Sequence, residues 1–232
     1  MFFFDPLYFL LIAPAFLLSI IAQIWVKSAY NKYSQTPNMR GLSGAEAADY
    51  MLRAKGVHDV RIEISSGLLS DHYDPRDKTL RLSPEVYQGR TIAAIGIACH
   101  EAGHALQHAF GYAPLRLRTA LVPITMIGSN LAWPLLFIGF IFHALTLIKL
   151  GILFFSGAVL FQLVTLPVEF NASFRALAAI KETGLLTADE FSGAKQVLTA
   201  AAMTYVAAAA AAILQLLYFL LRAGLLGRNH ED

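Results

Sequence analysis

His100, Glu101 and His104 are the residues whose types and spacing read most directly as chemistry. They stand as His-Glu-Ala-Gly-His inside the apolar run from Ile92 to His108. On a helix, residues i and i+4 share a face, so both imidazoles can hold one Zn²⁺ from consecutive turns while the glutamate projects beside them. Zinc brings the pKa of its water toward ~7, and a neighbouring carboxylate can take the proton as that water attacks. The chemistry expected is hydrolysis, with His100 and His104 as metal ligands and Glu101 as general base. A solvated surface helix is the bland alternative, but Ile92–Cys99 and Ala105–Leu106 are nearly all apolar. Burying two histidines and a glutamate without a partner carries a heavy penalty that a metal removes.

His108 lies eight residues beyond His100, about 12 Å along a helix at ~1.5 Å per residue, too far to share one ion. A third histidine six residues after His104 would fall at position 110, where Phe110 stands instead. Cys99 points about a quarter turn from His100 and reads as a small buried hydrophobe. The third ligand therefore comes from elsewhere in the chain, and finding it requires the elements that position the motif.

Of the 232 residues, 56% are hydrophobic and only 15% charged, against about 25% charged in an average soluble domain. This excludes a soluble enzyme and a disordered chain, and points to a membrane protein. A net charge of +2 without a clustered basic face gives no nucleic-acid footprint. The single cysteine rules out an intrachain disulfide. Four segments have the roughly 20 apolar residues a spanning helix needs: Leu7–Val26, Ala120–Phe142, Leu150–Val168 and Thr199–Leu221. The first has neither a basic leader nor a cleavage site and reads as a retained anchor.

Twelve of the eighteen Lys and Arg residues lie between the first and second segments, and Arg175, Lys181 and Lys195 lie between the third and fourth. Only Lys149, Arg222 and Arg228 fall on the opposite side. Basic flanks stay cytoplasmic, so both termini are expected outside and the two larger connections in the cytoplasm. Two acidic residues then stand at a membrane boundary, Asp5 and Glu169, and Asp5 is on the wrong side. Glu169, at the cytoplasmic end of the third segment, shares a side with the histidines. A carboxylate bordering an apolar span is expensive unless paired or coordinated. Two histidines and one glutamate leave a fourth position open, as catalysis requires.

Between the first two segments, Ser43-Gly44-Ala45-Glu46 predicts a capping box opening a helix that stops at Gly56. Val60, Ile62 and Ile64 alternate with charges as in a half-buried strand, and Leu80 and Leu82 mark a second short strand. Ser65–Lys78 reads as polar and turn-rich. Ser83-Pro84 opens a further helical stretch, and Thr91 is the candidate N-cap of the motif helix.

The chain resembles the YugP-like family of bacterial membrane zinc metallopeptidases. The likeness rests on VKSAYNKYSQTPNMRGLSG (26–44), DHYDPRDKTLRLS (71–83), HEAGHALQHAFGYAP (100–114), FQLVTLPVEFNASFRA (161–176) and 198–215. It implies a zinc-dependent peptidase of the bacterial plasma membrane. Glu169-Phe170-Asn171-Ala172-Ser173 is more distantly similar to the E-x-x-A-D of HtpX-type and CAAX-processing peptidases, in which the glutamate is the third ligand. Ser173 stands where those families keep an aspartate that supports a zinc histidine, so that support falls to Ser173, Asn171, Asp71 or Asp74. Candidate donors to the oxyanion are His72, Tyr73, Tyr112 and Arg175. Related peptidases bind substrate as an added strand, and Thr79–Ser83 is the strand expected to receive it.

The fold expected is a mainly α bundle of about four membrane spans with a small cytoplasmic α+β, zincin-like lobe. Residues 1–26 form the anchor and 27–119 the lobe; 120–232 carry three spans and a cytoplasmic loop, 169–198, bearing the third ligand. The function expected is zinc-dependent endopeptidase action on protein or peptide substrates at the cytoplasmic face, with the bilayer as the other partner. A non-catalytic membrane adaptor or sensor with a structural or vestigial metal site is the alternative. An intramembrane protease would take its third ligand from an aspartate on a span, and none of the four segments contains one.

Overall fold

The computed structural model describes residues 5–67 and 70–226. Arg228 and both extreme ends of the chain, which enter the charge and topology reading, lie outside the described residues. In chain order the elements are α1 (Pro6–Tyr33), α2 (Gly44–Ala54), β1 (Arg61–Ile64), β2 (His72–Asp74), β3 (Thr79–Leu82), α3 (Pro84–Gln88), α4 (Ile92–Ala109), α5 (Ala113–Ile141), α6 (Leu145–Thr183) and α7 (Ala188–Arg222). The chain is mainly helical. Helices α1, α5, α6 and α7 are long and apolar enough to cross a membrane, and each contains one of the four segments read from the sequence, apart from Phe142 just past the end of α5.

Local signals explain most element ends. At α2 the Ser43 hydroxyl accepts from the Glu46 amide, and the Glu46 carboxylate accepts from the Ser43 amide at 2.7 Å, completing the box. The Thr91 hydroxyl caps α4 by accepting from the Ala94 amide. Gly56 and Gly184 carry positive φ just past α2 and α6, where a left-handed residue closes the last turn.

The connection 169–198 is not a loop. Helix α6 continues to Thr183 and α7 begins at Ala188, so only 184–187 lies outside a helix. Nothing in Glu169–Thr183 breaks a helix, and a helix has no reason to stop where its surroundings change from apolar to polar. Glu169 is thus held by helical backbone on both sides.

The chain forms two compact units. One comprises Ala22–Arg116 and Pro167–Thr204, and the other the described parts of Met1–Ile21, Leu117–Leu166 and Tyr205–Asp232. In the first, a three-stranded sheet has the order β1-β3-β2, with β3 parallel to β1 and antiparallel to β2. Strand β3 is therefore paired along both edges, and Thr79, Leu80 and Leu82 are fully buried. This overturns the expectation that Thr79–Ser83 receives an added strand: the residues that occupy its second edge, His72–Asp74, are too few to show alternation and read as turn. The core of this unit gathers Met51, Leu80, Leu82, Ile95, Leu106 and Ile180. In the other unit Phe219 packs edge-on against Trp133 and Phe155, with Leu136, Ile148 and Tyr218 completing the cluster.

Candidate metal centre

Helix α4 fixes the first two candidate ligands. His100 and His104 sit one turn apart with ring centroids 4.9 Å from each other. The third comes from α6, which approaches α4 closely at Gly103. A β-carbon on Gly103 would lie only 2.5 Å from the Ala172 carbonyl oxygen, so glycine is what allows the two backbones to approach this far. That contact brings Glu169 to the histidines: its Oε2 lies 3.3 Å from His100 Nε2 and 3.7 Å from His104 Nε2.

The donor atoms of His100, His104 and Glu169 all fall within 4.8 Å of one another. With ligand bonds of about 2.0–2.1 Å, a tetrahedral zinc site has ligand–ligand edges of roughly 3.3 Å, so the two nitrogen–oxygen edges are already near that size. Glu169 and His104 are 2% and 8% exposed; a buried carboxylate facing two imidazoles fits a cation. The residues present suit zinc.

The opposite ring nitrogens are held by neutral groups. His100 Nδ1 lies 3.0 Å from the Ser173 hydroxyl, one turn along α6 from Glu169. His104 Nδ1 lies 3.0 Å from Gln107 Oε1. Such partners orient a metal-binding imidazole.

Glu101 is partly buried beside the two histidines. Burial pushes its carboxyl above the ordinary value; positive charge on His100 and His104 opposes this, while Glu169 and Asp71 reinforce it. Burial disfavours charge on His104, but the Glu169 carboxylate 3.7 Å away and the charge of Glu101 outweigh it, so its pKa is raised. The carboxylates give the site a net preference for positive charge.

The remaining sequence candidates divide. Ser173 touches a site histidine, and Asn171 reaches the site through Gln107, whose Nε2 donates to Asn171 Oδ1 at 3.1 Å. Arg175 donates to Asn171 at 2.7 Å and lies against the rings of Phe110 and Tyr112. The Tyr112 hydroxyl donates to the Pro167 carbonyl at 3.4 Å. His72 Nδ1 lies 2.7 Å from the Ser70 carbonyl, and the Tyr73 hydroxyl pairs with His108 Nδ1 at 2.8 Å. Burial, aided by Asp59, Asp74 and Asp77, pushes that phenol up to about 12. Asp71 accepts from the Ser83 amide and hydroxyl, and Asp74 is engaged by Arg76. Of these candidates Ser173 bonds directly to one of the three converging residues. Cys99 is fully buried, as its sequence context implies. Gln107 escaped sequence reasoning, although its position three residues after His104 puts both on one helix face.

Three comparisons bear on this geometry. A family model described as "Putative neutral zinc metallopeptidase" matches residues 8–224. The "Putative membrane protease YugP" of Bacillus subtilis (strain 168) is 48% identical over 216 residues, covering 93% of this chain and 96% of that protein. No solved structure gives a significant match.

Proposed function

The chain belongs to the neutral zinc metallopeptidase family, and from that premise we propose that it is a membrane endopeptidase cutting protein or peptide substrates at the cytoplasmic face of the bacterial plasma membrane. The observation that carries the reading is the convergence of His100 Nε2, His104 Nε2 and Glu169 Oε2, with Glu101 beside them on the same helix.

Zinc held by His100, His104 and Glu169 would polarise the scissile carbonyl and render water nucleophilic at neutral pH. Glu101 takes the proton from the attacking water onto its carboxylate and delivers it to the leaving amine as the carbon–nitrogen bond breaks. A carboxyl raised by burial suits both halves of that transfer, since it binds the proton well enough to carry it between the two steps. Ser173 and Gln107 hold the far nitrogens of the imidazoles, so that the rings do not turn as charge develops.

Since β3 is paired on both sides, a substrate backbone adding as a strand needs β1 or β2. Strand β2 is the edge that packs on α4, whereas β1 packs on α3. We therefore assign the substrate to the outer edge of β2, unpaired among the described residues, in a small zincin-like lobe formed within residues 27–119. The fifteen basic residues on one side of the four apolar segments support a cytoplasmic site and outward termini. Membrane association itself agrees with the four apolar helices and with the membrane protease relative.

The test is Glu101→Gln in the full chain in detergent, assayed on quenched fluorescent casein. Cleavage should fall by about 10²–10⁴-fold, the range for losing a general base, while zinc content stays at the parent's level. Unaltered turnover would refute Glu101 as the general base, and a zinc-loaded parent that cleaves nothing would favour a non-catalytic metal site.

A further inference from the structure

Gln107 is completely buried on α4, one turn beyond His104. Its amide offers one acceptor oxygen and an NH₂ group that can only donate. Which end faces His104 is decided by a chain of partners that begins at Arg175. A guanidinium has no acceptor, so the Asn171 atom 2.7 Å from Arg175 Nε must be the carbonyl oxygen. That same oxygen lies 3.1 Å from Gln107 Nε2, and the Val168 carbonyl lies 2.7 Å from it on another side. Two acceptors thus claim the two N–H groups of Gln107, which leaves Oε1 facing His104 Nδ1 at 3.0 Å.

An acceptor at that distance requires the hydrogen on Nδ1. A neutral imidazole carries only one N–H, so Nε2, the nitrogen that faces Glu169, keeps its lone pair. We infer that Gln107 is a positioning residue that locks His104 in the Nδ1–H tautomer, and that Arg175, acting through Asn171, fixes the sense of the lock. Gln107 is not among the residues whose donor atoms converge, and acts through His104. At its far nitrogen His100 has no equivalent constraint: the Ser173 hydroxyl at 3.0 Å can donate or accept, while the other nitrogen, Nε2, faces Glu169 Oε2 at 3.3 Å. The pair therefore presents one pre-set ligand and one adaptable one. Arg175, a candidate for the oxyanion in sequence, acquires a different task.

This inference rests on the metal-binding reading of His100, His104 and Glu169, and its test does not depend on cleavage. Zinc affinity of the full chain in detergent is measured by chelator competition for the parent, Gln107→Met and Asn171→Asp. Gln107→Met keeps the side-chain volume and deletes the acceptor, and should bind zinc about 10–100-fold more weakly. Asn171→Asp still accepts from both Arg175 and Gln107, and should stay within about threefold of the parent. Imidazole ¹⁵N shifts of the zinc-free parent, followed to the pH at which the ring has lost its second proton, should show His104 protonated at Nδ1; Gln107→Met should shift the proton toward Nε2. That measurement needs no variant to fold. His104 protonated at Nε2 in the parent, or a folded Gln107→Met with parental zinc affinity, would overturn the lock. A parent that binds no zinc would instead overturn the metallopeptidase reading itself.

Discussion

Leu80 and Phe219 are both buried, at 0% and 4% exposure, yet different forces hold them. Leu80 lies in the unit that carries the sheet, and its alternative on unfolding is water, so burial is worth about 1.5–3 kcal/mol through the hydrophobic effect. Phe219 lies among apolar helix segments whose outer faces also carry large apolar side chains, such as Phe137 at 63% and Ile127 at 63% exposure. Lipid is as apolar as that interior, so Phe219 is held by ring-on-ring packing against Trp133 and Phe155 at 5.8 and 5.4 Å rather than by escape from water. His100, His104 and Glu169, whose donor atoms converge, fall in the first unit together with Ser173 and Gln107. The second unit offers apolar fit.

The comparison can be broken most directly by truncation. Leu80→Ala should destabilise by about 2–5 kcal/mol, the usual range for a buried leucine. Phe219→Ala should lose less per carbon removed when both are unfolded chemically in detergent. Equal losses per carbon would show that solvent exclusion governs both units alike.

Two glycines sharpen it. A methyl on Gly103 would meet the Ala172 carbonyl at 2.5 Å, and one on Gly139 would meet Ile148 Cγ1 and its backbone nitrogen at 2.8 and 2.9 Å. Each Gly→Ala change should cost about 1–3 kcal/mol by overpacking. Only Gly103→Ala, which parts α4 from α6, should weaken zinc retention. Matching losses of zinc from both variants would contradict the confinement of the site to one unit.

The smallest effect concerns Asp74, whose carboxyl is held down to about 2 by its hydrogen bonds from Arg76, with Arg81 assisting. Against an unfolded value near ~3.9, the folded pKa is depressed. Its contribution is therefore complete above about pH 4 and lost as pH falls toward about 2. Asp74→Asn should flatten the stability–pH curve over that window and leave it unchanged near neutrality. A curve identical to the parent's from pH 4 downward would remove Asp74 from the account.

Much of the candidate site was legible because its chemistry is local. Two histidines at i and i+4 on an apolar helix need no tertiary knowledge, and Glu169 was conspicuous as a lone carboxylate at the edge of an apolar run. The α2 capping box and the Thr91 cap were legible for the same reason. What failed depended on long-range partners. The three residues of β2 become a strand only by pairing with β3, and no periodicity announces them. The continuation of α6 to Thr183 was hidden because hydropathy marks where lipid ends, not where a helix does. Gln107 looked like an ordinary polar residue; its role emerges only when Val168 and Asn171 of α6 meet its amide.

Zinc content of purified protein, measured by elemental emission for the parent and for Glu169→Ala, tests the central claim most directly. The account predicts about one tightly held zinc per parent chain and its loss from a variant that remains folded. A folded Glu169→Ala protein that keeps zinc as firmly as the parent would contradict it.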